Sequence, residues 1–249
     1  MTRRSTHGSV GRPCRSLCSQ PVASEYRDLD DSVLATIEAV RPFTMTSPER
    51  INALCEAVRY VVRNGIPGAF VECGVWRGGS AMAAVRTLLE CGDAERSVFL
   101  FDTFEGMTPP SEFDRDIEDR AAGRLMESED RETSPVWAYA SLDEVRANLA
   151  ATGYPMDHVR FVEGPVEETI PSQAPASVAI LRLDTDWYES TRHELEHLVD
   201  RVSPGGVLII DDYGHWQGAR RAVDEFLART SRPVLLNRVD YTGRIAVLP

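Results

Sequence analysis

Two strongly apolar runs in this 249-residue chain end in paired acids. VAILRLDTD ends on Asp184 and Asp186, and GGVLIIDD ends on Asp211 and Asp212. Carboxylates at the ends of strand-like segments are costly unless they meet solvent, a cation or a ligand. In an open parallel α/β sheet the carboxyl ends of the strands are where ligands bind. The pattern therefore predicts such a sheet with an acidic site along one edge. Four acids at two strand ends suggest a hard divalent cation such as Mg²⁺, held by oxygen ligands.

The remaining patterning fits an α/β order. Val33, Leu34, Ile37 and Val40 share one helical face before Pro42, and Ser47-Pro48 is an N-cap followed by proline at the first helical position. That second helix ends near Gly65, and the pair is expected to cover one edge of the sheet. Strands are predicted at 69–75, 97–103, 159–165, 178–185 and 205–212, with helices at 80–90, 141–151, 188–202 and 217–229 between and after them. Two short strand candidates near the end, VLLNRV and RIAVLP, form an antiparallel hairpin across YTG. A mainly parallel sheet with an antiparallel end follows. Residues 104–136, dense in charge and proline, read as an active-site lid, because a loop this long in a compact domain is usually functional or mobile.

Composition narrows the function. A formal net charge of −12 argues against nucleic acid, whose phosphates need a basic face. No apolar run approaches the roughly 20 residues that span a bilayer. All 27 basic residues are arginine, which excludes a lysine nucleophile, a Schiff base and a P-loop lysine. Five cysteines without CxxC spacing favour neither disulfides nor zinc, and fit a reducing cytoplasm. Residues 1–27 read as a basic, disordered tail and residues 28–249 as a single domain.

At the first Gly-rich turn, ECGVWRGGS, Glu72 would repel a pyrophosphate but accept an ammonium group. Gly74, Gly78 and Gly79 let a ligand approach the backbone at a helix N-terminus. Asp102, ending the next strand, is placed for ribose hydroxyls. A ligand with an amino acid at one end and a nucleoside at the other fits both acids, namely S-adenosylmethionine.

Together, VECGVWRGGS, FDTFEGM, LRLDTDWYEST and LIIDDYGHW resemble the macrocin O-methyltransferase (TylF-type) family over about residues 28–249. The resemblance implies a class I methyltransferase fold, Rossmann-like and seven-stranded with the last strand antiparallel. It also implies an S-adenosylmethionine- and Mg²⁺-dependent enzyme that methylates sugar hydroxyls of antibiotic-type glycosides. Carried over by position, Glu72, Gly74 and Trp76 line the methionine end, and Ser80 lies near its carboxylate. Asp102 holds the ribose, Glu163 and Gly164 sit by the adenine, and Met45 borders the cofactor. Asp184, Asp211 and Asp212 match the metal ligands, and Asp186 the general base. A homodimer or higher assembly through the N-terminal helices is compatible with it.

His215 and Trp216, just after the acidic pair, are further site candidates, and Trp187 or Tyr188 is a candidate wall of the sugar site. His193 and His197 read as surface groups. The rival readings are a glycosyltransferase using Asp184-Thr185-Asp186 as its DxD, a catechol-type O-methyltransferase, and a non-catalytic cofactor-binding protein. Glu72 weighs against the first, the long polar lid against the second, and the full set of four site acids against the third.

Overall fold

A computed structural model of the chain describes residues 26–249, so the expected tail lies almost wholly outside the described residues. Helices α1 (Asp31–Val40) and α2 (Pro48–Arg63) lead into strand β1 (Ala69–Cys73), helix α3 (Gly79–Glu90) and strand β2 (Val98–Asp102). Helices α4 (Ala122–Ser128) and α5 (Leu142–Ala150), strand β3 (Val159–Glu163) and the short helix α6 (Val166–Thr169) follow. The chain closes with β4 (Val178–Leu183), α7 (Tyr188–Leu198), β5 (Val202–Ile210), α8 (Gln217–Arg229), β6 (Asn237–Arg238) and β7 (Arg244–Val247).

The strands form one seven-stranded sheet in the order β3-β2-β1-β4-β5-β7-β6. β1 to β5 run parallel, while β7 pairs antiparallel with both β5 and β6. The central strands β1 and β4 are buried along their whole lengths, which is why they read as nearly unbroken apolar runs rather than alternating ones. One face packs against α1, α2, α3 and α5, whose apolar stripes bring Ile37, Val58, Leu88 and Leu149 into one cluster with Phe70, Ile180 and Val207. The other carries α7 and α8 through Leu195, Leu198 and Val223, clustered with Val71, Leu181 and Leu208.

α2 begins where its cap predicts, with the Arg50 N–H donating to Ser47 Oγ at 3.3 Å and Pro48 at the first position. The first two helices cover a face of the sheet rather than an edge, because α2 buries Ile51, Leu54, Val58 and Val61 as one stripe. The segment read as an irregular lid contains a helix, α4, and a 3₁₀ turn at Pro135–Trp137. Among the described residues no helix is long and apolar enough to cross a membrane.

Candidate active site

Each of the five parallel strands carries an acid at its carboxyl end, one residue inside it or one residue beyond it: Glu72, Asp102, Glu163, Asp184 and Asp211. These strand ends border one cavity of about 370 Å³, within the range of small-molecule sites. Lid residues Met107, Thr108, Pro135 and Val136 also line it.

The turn after β1 forms the cofactor end. Gly74, at φ +81°, has no room for a side chain, because a Cβ would collide with the Asp184 backbone. β1 and β4 can therefore end in contact. Asp102 braces this turn, with its Oδ2 accepting the N–H groups of Val75 at 2.6 Å and Trp76 at 3.1 Å. Its Oδ1 accepts from Phe104 N–H at 2.7 Å, so any ribose hydroxyl has mainly Oδ1 to bond. Burial raises the Asp102 pKa, and the three N–H groups oppose that.

Met45, Gly74, Trp76, Ser80, Asp102 and Gly164 all line the cavity. Two residues expected beside the cofactor do not. Glu163 ends β3 exposed, and Glu72 is buried behind the wall at 1% exposure. Strand alternation and full burial of β1 turn Glu72 inward, where its Oε1 accepts from Arg182 Nη1 at 2.6 Å. Its Oε2 is buried and has no hydrogen-bond partner among the described residues. Burial, only partly offset by Arg182, pushes Glu72 up from the usual 4.5 to about 7.

The acid end gathers Asp184, Asp186, Asp211 and Asp212 along the same cavity. Residues two apart on a regular strand, such as Asp184 and Asp186, would share a face, but that is not how this comes about. β4 stops at Leu183, and the chain makes a tight turn in which Trp187 N–H donates to Thr185 O at 2.7 Å. Asp186 is the centre of that turn at φ +65°. β5 likewise ends at Ile210, so the turn beyond it lets both Asp211 and Asp212 border the cavity. One oxygen from each of Asp184, Asp211 and Asp212 lies within 4.8 Å of the others. Burial and then the Asp212 charge raise Asp186 well above the carboxylate range, and burial followed by Asp184 raises Asp212.

Sequence reasoning missed Arg182, the hub of the site. Its side chain is 2% exposed, and it donates at 2.6 Å to each of Glu72, Asp184 and Asp211, and at 3.0 Å to Thr46 Oγ1. Thr46 Oγ1 in turn lies 3.3 Å from Ser80 Oγ, so one polar chain joins the cofactor turn to the acids. The signal was present: a lone charge inside VAILRL needs partners when both faces of its strand are buried. Arg50, bonded to Asp211 and to Asp240, carried no such signal. His215 and Trp216 do line the cavity. Trp187 and Tyr188 are buried against the lid instead. His193 and His197 are half-buried, and neither lines the cavity; His193 bonds the Ile170 carbonyl at 3.0 Å.

A sheet of this order, with a Gly-rich turn after its first strand and its cavity across the carboxyl ends, defines a class I S-adenosylmethionine-dependent methyltransferase. Comparison with known proteins carries this further. Residues 27–246 match the macrocin O-methyltransferase (TylF) family, and the chain belongs to that family. It is 39% identical over 200 residues to the 8-demethyl-8-(2,3-dimethoxy-alpha-L-rhamnosyl)-tetracenomycin-C 4'-O-methyltransferase of Streptomyces olivaceus, covering 80% of this chain and 73% of that protein. It is 35% identical over 187 residues to the mycinamicin III 3''-O-methyltransferase of Micromonospora griseorubida, covering 75% and 70%. The solved structure of the O-methyltransferase NovP superposes with a TM-score of 0.71 at 33% identity, over 82% of this chain and 81% of that one. The protein is therefore an S-adenosylmethionine-dependent O-methyltransferase, and the glycosyltransferase reading of its DxD falls away.

Proposed function

We propose that this protein methylates a sugar hydroxyl of a glycosylated natural product, using S-adenosylmethionine and a divalent cation, Mg²⁺. The charge of the cavity floor carries the reading. Among the described residues five carboxylates, Glu72, Asp184, Asp186, Asp211 and Asp212, are gathered around only two guanidinium groups, Arg182 and Arg50, and Arg50 is shared with Asp240. Fully ionised, the five leave at least three uncompensated negative charges. A divalent cation together with a sulfonium cofactor of net charge +1 balances them. Burial and this crowding of like charge together raise the pKa values of Glu72, Asp186 and Asp212.

The donor set fits Mg²⁺. Asp184, Asp211 and Asp212 offer oxygen only, within 4.8 Å of one another, and hard cations take oxygen. Bound there, the cation supplies Lewis acidity that lowers the pKa of an acceptor hydroxyl. Met45, Gly74, Trp76, Ser80, Asp102 and Gly164 line the space for S-adenosylmethionine, which supplies the electrophilic methyl group. Asp186, in the same wall, accepts the proton that the hydroxyl gives up as the methyl group is transferred.

The sugar acceptor rests on the relatives, one named for 4'-O-methylation of a rhamnosyl-tetracenomycin and another for 3''-O-methylation of mycinamicin III. The test is transfer of labelled methyl from S-adenosylmethionine to these glycosides and to a catechol, each with Mg²⁺ and with EDTA. Label on a glycoside, lost with EDTA, is expected. Label on the catechol alone would move the function to a phenolic O-methyltransferase.

A further inference from the structure

The acid cluster carries its own cations before any ligand arrives. Asp211 gives Oδ1 to Arg182 at 2.6 Å and Oδ2 to Arg50, so both of its oxygens are held by guanidinium groups. A metal ligand engaged in this way must share or exchange a partner.

The two arginines differ in what else holds them. Arg182 is fully enclosed and tied to four groups of the site. Arg50 stands in the cavity wall with its side chain 12% exposed. It also has acceptors outside the cluster, donating from Nε to Asp240 Oδ2 at 3.0 Å and to Ser47 Oγ at 3.4 Å. Asp240 is itself anchored, by the Ser47 hydroxyl at 2.7 Å and by the N–H groups of Thr242 and Gly243 at 2.9 and 2.6 Å. Arg50 can therefore release Asp211 and keep a charged partner outside the cluster, whereas every partner of Arg182 belongs to the site itself.

We infer that Arg50 is a built-in competitor for the divalent cation at Asp211, and so sets how tightly the acid cluster binds it. This rests on the cluster being the cation site. In the cation-free protein the Arg50 guanidinium neutralises Asp211. A divalent cation reaches that oxygen only as Arg50 withdraws to Asp240, and the free energy of that exchange is subtracted from its affinity. Arg50 and the cation are alternatives because they compete for the same oxygen, Asp211 Oδ2, and repel each other there, while Arg182 keeps Oδ1.

Calorimetric titration with MgCl₂ alone, at fixed ionic strength, tests this. Arg50→Gln should bind Mg²⁺ roughly tenfold more tightly than the native protein or better, the order expected from removing one nearby like charge. Arg50→Met, which keeps the alkyl stem, is the second neutral variant should the first fold poorly. Arg50→Lys, still cationic, should stay near native, and Asp211→Asn should give no binding. If the native protein binds Mg²⁺ and the neutral variants bind it equally or more weakly, the role of Arg50 is overturned while the cation site stands. If neither native nor neutral variant binds Mg²⁺, the cation reading itself is overturned, and the competition with it.

Discussion

Asp186 holds a conformation that a residue with a side chain rarely adopts, φ +65°, at the centre of a three-residue turn. Backbone of this kind costs of order 1–3 kcal/mol and persists where the surroundings impose it. Here they are specific. Glu194, fully buried on α7, accepts the Thr185 hydroxyl at 3.0 Å, and the Asp186 N–H donates to Asp212 Oδ2 at 3.3 Å. The turn places Asp186 in the cavity wall beside the acid cluster. Asp186→Asn should keep the shape of the turn and the affinity for S-adenosylhomocysteine but lose roughly 10²–10⁴-fold in turnover, the usual contribution of a general base. Near-native turnover would remove Asp186 from that role. At this scale the sequence was informative wherever chemistry punctuates an apolar run. Asp102, Asp184 and Asp211 stand out because they end strands, and Arg182 stands out because it interrupts one. Glu72 shows the limit. Its position in the chain was plain, but only the burial of both faces of β1 turns it behind the wall, and that depends on elements far away in sequence.

The lid and α7 act as a coupled pair of elements. α7 starts at Tyr188 without a side-chain cap from its own N-cap residue, Trp187. The cap comes from the lid: Asp114, 1% exposed, accepts the Tyr188 N–H at 2.7 Å on Oδ1 and the Ser111 N–H and hydroxyl at 2.6 and 2.7 Å on Oδ2. Gly218 on α8 leaves the space this carboxylate fills, since a Cβ there would meet Asp114 Oδ1. Trp187 adds a second tie by donating its indole N–H to Thr108 O at 2.9 Å. Asp114→Ala should destabilise the fold by about 2 kcal/mol, the cost of a lost cap and an unpaired buried N–H. Turnover should fall more than S-adenosylhomocysteine affinity, because the capped turn carries Asp186. Equal losses in both, measured on one preparation, would make Asp114 a stability residue only. None of this was legible in sequence. The length of the segment set it apart in sequence, but α4 lacks a capping signal, and a cap supplied across 74 residues leaves no local pattern.

Across the whole molecule, the parallel sheet and its antiparallel end were legible because strands buried on both faces must be apolar throughout, and helices between them must be amphipathic. The energetic consequence of placing acids at those strand ends is visible as pH dependence. Glu72 is pushed from 4.5 up to about 7 by burial, and burial raises Asp186, Glu194 and Asp212 as well. A carboxyl raised on folding contributes stability that is present below its unfolded pKa and lost as pH rises through its folded value. His215, lowered from 6.5 by burial, acts the other way only below about pH 6.5. The four carboxyls outweigh the one histidine, so in EDTA the melting temperature should fall between roughly pH 5 and 7. Mg²⁺, which needs ionised carboxylates, should restore it most at about pH 8. A melting temperature that rises over that interval in EDTA would contradict the electrostatic account of the cavity floor.

The most direct measurement of the central claim is calorimetric titration of the native protein with S-adenosylhomocysteine and with Mg²⁺, each in the presence and absence of the other. The account predicts one site for each, with Mg²⁺ binding abolished by Asp184→Asn and S-adenosylhomocysteine binding left nearly unchanged by it. Cofactor binding without any Mg²⁺ site would contradict it, leaving a methyltransferase whose acid cluster does something other than hold a cation.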